Sequence, residues 1–240
     1  MQGQARVTNT GGYWHEAARY NGVHTARVIE LVDPDGQGRV KVRLVRGEEE
    51  VPLEAWARIA TLMAGNNKGS WFIPDVGDEV LVAFEAGDPR KPFVLGGLWN
   101  GQDAPPESMD GAGANGVKSL RLRSGLTIRL QEDREGASIT LETPGGRRLV
   151  LSDAIDSEGE AGVIEIEDGQ GNKVTIDRDG VSVVSDGVLR LSANEGATIE
   201  ATSLDIKVGT ANVTGILYAN IINASSIVAD GYTNGAGNHW

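Results

Sequence analysis

From Lys118 to Thr210, apolar and polar residues alternate in short runs separated by little more than turns. The plainest runs are Gly180-Val-Ser-Val-Val-Ser, Gly187-Val-Leu-Arg-Leu-Ser and Gly196-Ala-Thr-Ile-Glu-Ala, each opening on a glycine that follows Asp or Glu. Alternation at period two sets one row of side chains on one face of an extended strand. The Asp-Gly and Glu-Gly steps supply the turns, because glycine takes positive φ at no steric cost. A repeat this short suits a strand-per-step β-solenoid rather than a pair of helices.

The row expected inside comprises Leu126, Ile128, Ile139, Leu141, Leu149, Leu151, Ile164, Ile166, Val174, Ile176, Val181, Val183, Leu189, Leu191, Ile199, Leu204, Ile206 and Val208. Such a face cannot be closed within one thin ribbon; it needs a second sheet, a helix or another chain. No helical pattern is available, so the reading is all-β, with three copies wound into a prism. That is an intertwined triple-stranded β-helix over 118–210, formed by a homotrimer. About eleven strands at about 4.8 Å per layer would make a rod on the order of 50 Å long.

The segment before it has a different rhythm. Val23–Val32 and Arg39–Val45 alternate, with Val40, Val42 and Leu44 on one face and Asp33-Pro-Asp-Gly36 as the turn between them. Strands are also expected over Ala55–Met63, Glu79–Phe84 and Phe93–Trp99, with Trp71, Phe84 and Trp99 as barrel core. Five strands in about 75 residues fit a small closed barrel of the OB type. The boundaries read as an arm over 1–22, a barrel over 23–102, a linker over 103–117, the strand array over 118–210 and a tip over 211–240. Tyr13, Trp14 and Tyr20 concentrate aromatics in the arm, which suits either a tether to its own domain or a docking arm.

Composition narrows the function. The 240 residues carry 33 glycines, only 5% aromatics and a net charge of −12. That is a turn-rich β composition with no broad attraction for nucleic acid or anionic membranes. With no cysteine, thiolate chemistry and disulfides are excluded. Met1–Thr10 lacks the apolar centre of a secretory signal, and no run of about 18 apolar residues could cross a membrane as a helix.

Ala57-Arg-Ile-Ala60, Gly69-Ser-Trp-Phe-Ile-Pro-Asp-Val-Gly-Asp-Glu-Val80, Ala83-Phe-Glu-Ala-Gly-Asp-Pro-Arg-Lys-Pro92 and Gly96-Gly-Leu-Trp-Asn-Gly101 follow in order. Together they resemble the OB domain of contractile-injection spikes, the phage baseplate assembly protein V family and the related valine-glycine-repeat spikes of type VI secretion. The resemblance implies a non-enzymatic central spike whose barrel sits on a baseplate hub and whose needle pierces the target envelope when the sheath contracts. It implies a site at the virion baseplate or injection-particle tip, after synthesis in the bacterial cytoplasm. A separate tip protein of the proline-alanine-alanine-arginine repeat type is a further implied partner; nucleic acid is not. No hub domain precedes the barrel and no muramidase-like insert follows it, so the hub is expected as a separate protein and wall digestion is not expected.

After Lys207 the only charged side chain is Asp230. Ile216, Ile221, Ile227 and Trp240 mark this low-charge tip, read either as a packed cap on the trimer axis or as a surface for a bilayer or tip protein. No cofactor is expected. Three copies of His239 would converge if the C-terminus lies on the axis, a candidate metal site, although the family's paired histidines are reduced here to one. The other histidines, His15 and His24, have no zinc-like spacing. Acidic residues such as Glu132, Asp133 and Glu135, or Asp153, Asp156, Glu158 and Glu160, fall at expected turns and read as solvated. Two rival functions remain: an OB-fold protein binding single-stranded nucleic acid, and a β-solenoid carbohydrate-active enzyme, which predicts a monomer.

Overall fold

The structure, a computed structural model, describes residues 20–44, 52–155 and 161–231. Among these the regular structure is β, apart from one short 3-10 turn at Glu85–Gly87. No helix is long and apolar enough to cross a membrane.

Seven strands build the first part: β1 (Val23–Glu30), β2 (Val40–Leu44), β3 (Glu54–Ile59), β4 (Ala64–Gly65), β5 (Lys68–Gly69), β6 (Glu79–Phe84) and β7 (Pro92–Gly97). Five of them close into a barrel in the order β1-β2-β3-β7-β6, with β6 returning to β1, while β4 and β5 form a separate small hairpin. The pairs are antiparallel except β3 with β7. Alternation decides what enters the barrel. Register sets Ala26 opposite both Leu44 and Val80, Val28 opposite Val42, and Val82 opposite Val94. These residues, with Val40, Ala57 and Phe84, form one buried cluster.

Two of the three aromatics expected in that core are not there. Phe84 is buried, but Trp71 is 75% exposed and Trp99 70% exposed. A five-stranded barrel has a narrow interior that Val and Ala already fill, and an indole would overpack it. Trp71 instead lies across the outside of the β1–β2 turn, where a Cβ on Gly38 would come within 3.2 Å of its ring. Trp99 leaves β7 and lines a groove of about 580 Å³ with Pro105, Pro106 and Val117.

The β1–β2 turn is held by a carboxylate. Asp33 accepts backbone N–H bonds from Asp35 (3.1 Å), Gln37 (2.8 Å) and Arg39 (3.1 Å), and Nη2 of Arg39 donates to it at 2.6 Å. The Arg39 guanidinium, opposed by a smaller desolvation cost and helped by the backbone donors, holds the Asp33 carboxyl well below the usual carboxylate range.

The linker has internal order. Asp110 accepts from the backbone of Ala112, Ala114 and Asn115, and Glu107 receives Nη1 of Arg129 at 2.6 Å. Seven strands follow: β8 (Val117–Arg121), β9 (Thr127–Glu132), β10 (Ala137–Glu142), β11 (Arg148–Ile155), β12 (Ala161–Glu167), β13 (Lys173–Asp177) and β14 (Gly180–Val184). They form an antiparallel meander in chain order. Here the structure departs from the strand-per-step expectation, because over 117–184 each strand pairs with its own chain's neighbours through hairpins. Period-two alternation is common to hairpins and coils, whereas Pro144-Gly145-Gly146 and Asp168-Gly169 dictate the hairpin. Turns on one edge stack: a Cβ on Gly169 would meet the Gly146 carbonyl oxygen at 2.8 Å.

Strand pairing ends at Val184. From Leu189 onward the chain is a separate unit. Among the described residues, 188–231 form no strand and no backbone pair with another segment; the chain runs extended with a bend every few residues.

Candidate assembly surface

The meander has two chemically distinct faces, read directly from its register. One ladder crosses all seven strands as Leu120, Ile128, Leu141, Leu149, Ile166, Val174 and Val183. A second ladder beside it carries Leu130, Ile139, Leu151, Ile164, Ile176 and Val181, with Lys118 at its head. Both lie on one face, since partners directly opposite in a sheet point the same way and neighbours along a strand alternate. Most of these side chains are exposed: Leu130, Ile139, Leu141, Leu151, Ile164, Ile166 and Ile176 each leave between 40% and 49% of their surface uncovered.

The opposite face is its own cover. Glu142, Arg148, Glu167 and Lys173 stand in register across four strands. Arg148 approaches Glu165 (3.6 Å) and Glu167 (3.9 Å), and Lys173 pairs with Glu165. Beneath these long side chains Val150 is buried, although it sits on the charged face. Charged stems shield apolar surface while their heads stay in water.

The aspartates at the turns have local partners. Asp133 accepts from Gln131 and from the N–H groups of Glu135 and Gly136, and Asp168 accepts from Asn172 and the N–H of Gln170. Side-chain donation from Gln131 and Asn172, then backbone donation, holds both carboxyls below their ordinary value. They are turn caps, and sequence reading took such acids only as solvated; the Asp-x-x-Gly spacing at Asp133–Gly136 was the available signal. Asp156, Glu158 and Glu160 lie outside the described residues. No group of three or more metal-type ligands occurs among the described residues. His24 packs edge-on against Tyr20 and Phe84 at 5.6 Å, its Nε2 buried and without a hydrogen-bond partner. Tyr13, Trp14, His15, His239 and Trp240 lie outside the described residues.

Of the residues expected to line a needle, Ile128, Leu141, Ile166 and Val174 fall on the first ladder and Leu151, Ile164 and Ile176 on the second. Leu189, Leu191, Ile199, Leu204 and Ile206 stand exposed on the extended segment, as do Ile216, Ile221 and Ile227 further on. The basic residues of the barrel's second strand are paired: Lys41 with Glu30 (3.6 Å) and Glu54 (3.5 Å), Arg43 with Glu54 (2.6 Å). They form no free basic stripe for a nucleic-acid backbone.

Residues 24–99 match the injector OB domain of type VI secretion systems and phage baseplates. The chain is a relative of the baseplate and secretion spike proteins. It is 34% identical over 128 residues to the type VI secretion system spike protein VgrG1a of Pseudomonas aeruginosa, covering 48% of this chain and 20% of that protein. It is 32% identical over 141 residues to spike protein VgrG4b of the same species, covering 51% and 16%. With spike protein VgrG3 of Vibrio cholerae it shares 36% identity over 92 residues, 34% of this chain and 9% of that protein. The spike relative thus matches about a fifth or less of each of these longer proteins. Its barrel is the part that the family description covers.

Proposed function

We propose that this chain is the structural central spike of a contractile tail or related injection machine, assembled as a homotrimer. Its barrel attaches to a hub protein at the end of the tube, and a needle built from three chains pierces the target envelope when the sheath contracts. The work is mechanical, with no catalytic centre. A separate tip protein of the proline-alanine-alanine-arginine repeat type is the partner suited to its C-terminal end.

One observation carries the reading: an injector-type barrel is followed by a sheet whose two aliphatic ladders stay largely exposed among the described residues. An antiparallel sheet tolerates water on one face, and here the charged face already serves that need. Covering the half of each aliphatic side chain still exposed is worth roughly 1 kcal/mol apiece. A dozen such residues per chain make assembly obligate. Three symmetric copies of one face enclose a closed prism core, and the surface involved is continuous along seven strands. The meander does not favour the solenoid-enzyme rival, which needs a single chain coiled on itself.

The test is the solution mass of the purified full chain by light scattering, repeated on a chain ending near Gly116. The expected result is three times the 25.4 kDa chain mass, falling to monomer when the sheet and everything after it are removed. A monomeric full-length chain overturns the proposal.

A further inference from the structure

Four asparagines in the chain are followed by glycine: Asn21, Asn100, Asn115 and Asn234, the last outside the described residues. At such a step the peptide nitrogen of the glycine can reach Cγ of the asparagine side chain. Glycine has no Cβ to obstruct the approach, and its backbone turns freely. The three described steps share this chemistry and differ in what holds them. Asn100 is locked. Its Oδ1 accepts the N–H groups of Gln102 and Asp103, both at 2.8 Å, and its Nδ2 donates to Glu79 (2.9 Å) and Asp103 (3.1 Å). Rotating that carboxamide onto the nitrogen of Gly101 breaks all of these bonds, including those to two carboxylates.

The carboxamides of Asn21 and Asn115 make no hydrogen bond among the described residues, and both residues are exposed. Asn115 has something that Asn21 lacks. Nζ of Lys118 donates to the backbone carbonyl oxygen of Asn115 at 2.5 Å. When the nitrogen of Gly116 gives up its proton, the negative charge is shared with that oxygen, where an ammonium stabilises it. The nitrogen itself is available, since the N–H of Gly116 has no hydrogen-bond partner among the described residues.

We propose that Asn115–Gly116 is a self-modifying step of the backbone, activated by Lys118. The nitrogen of Gly116 bonds to Cγ of Asn115 as the Cγ–Nδ2 bond breaks, and Nδ2 leaves as ammonia with the proton from Gly116. Water then opens the cyclic imide. Opening at Cγ leaves an aspartate at 115; opening at the backbone carbonyl carbon leaves an isoaspartate, with the main chain running through Cβ and Cγ. Either product adds a negative charge to a linker that already holds Glu107 and Asp110. The isoaspartate also lengthens the main chain where β8 begins. That place has no slack. The carbonyl oxygen of Gly116 accepts the N–H of Glu132 at 2.8 Å, and a Cβ on Gly116 would run into the carbonyl oxygen of Glu132. The first rung between β8 and β9 is therefore the part of the fold that ageing at this step displaces. The chemistry does not draw on the spike reading above.

The test holds the full chain in mildly alkaline buffer, with and without guanidinium, and follows the amide-to-acid mass gain at Asn21, Asn100 and Asn115 by peptide mapping. In the native chain Asn115 is expected to react fastest, with Asn21 about threefold slower, the worth of one exposed charge contact. Asn100 is expected to be at least about tenfold slower than Asn21, because its hydrogen bonds must open first. In guanidinium the three rates converge. Lys118→Met is expected to bring Asn115 down to the rate of Asn21, and Lys118→Arg, which keeps a cation, to restore most of the difference. An Asn115 that reacts no faster than Asn21 in the native chain overturns the proposal. So does a lead that survives in guanidinium or in Lys118→Met.

Discussion

The barrel and the meander are made from the same residue types in the same alternation, yet one buries its aliphatics and the other displays them. Val28, Val40, Val42, Val80 and Val82 are at most 1% exposed, whereas Ile139, Leu151 and Ile164 leave about 40% of their surface uncovered. Closure is the difference. Five strands that curl until β6 meets β1 turn one face into an interior and remove their edges together. Seven strands in an open meander keep one apolar face uncovered, and among the described residues 188–231 form no strand. A period-two pattern therefore states that a face will be buried and is silent about which molecule buries it.

The largest expected effect breaks this contrast with one charge in each region. Val82→Asp places a carboxylate inside the barrel, at a cost of several kcal/mol, a large part of a typical domain stability of about 5–15 kcal/mol. The barrel is expected to unfold at any protein concentration. Ile164→Asp puts the same group at the centre of the uncovered face, where the single chain tolerates it. That variant is expected to keep its barrel and lose its assembled mass. Circular dichroism with light scattering at two concentrations reads both outcomes, and an assembled Ile164→Asp chain would show that this face is not the joining surface.

A smaller effect sharpens the comparison within the barrel. Phe84→Ala is expected to cost about 3–5 kcal/mol, the usual result for a buried aromatic. Trp99→Ala, on an exposed ring, is expected to cost less than about 1 kcal/mol. Denaturant midpoints of the two variants measure the difference. Equal losses would mean that Trp99 is covered in the assembled protein by something the single chain lacks.

These contrasts also mark what could be read from the sequence. All five barrel strands were legible within a few residues, because clean alternation and Asp-Pro or Gly turns bound each one. Their filling was only partly legible: Phe84 belongs inside, but Trp71 and Trp99 drew attention by size, the property that keeps them out of a narrow barrel. The meander's aliphatics were legible as a face. Their pairing was not, because hairpin and coil share one period and the turn chemistry at Pro144-Gly145-Gly146 carried less weight than the glycine repeat. After Val188 the sequence reading set Leu189, Leu191, Ile199, Leu204, Ile206 and Val208 in one row, and all six stand exposed on the single chain. Asp110 and Glu107, which order the linker, sit in a stretch whose Gly and Ala content reads as loose.

The smallest expected effect concerns the carboxylates that tie turns in both regions. Arg90 donates side-chain and backbone hydrogen bonds to Asp88 beyond β6, holding its pKa at about 2 against an ordinary value of 3.8. Arg39 does the same for Asp33, Gln131 and Asn172 act on Asp133 and Asp168, and backbone donors act on Asp110. Each group binds its proton less readily folded than unfolded, so its stabilisation is present above the ordinary carboxyl value of 3.8 and is lost as pH falls below it, for Asp88 through about 2. Two of the five tie the barrel and two the meander, so both regions should soften in the same acid window. Because these turns face solvent, each contribution is small. Thermal melts between neutral pH and about pH 2 should show a modest loss confined to the acid end, and Asp88→Asn should flatten part of it. A loss of stability beginning well above pH 5 would have to come from groups other than these five, since none of them starts to take up a proton there.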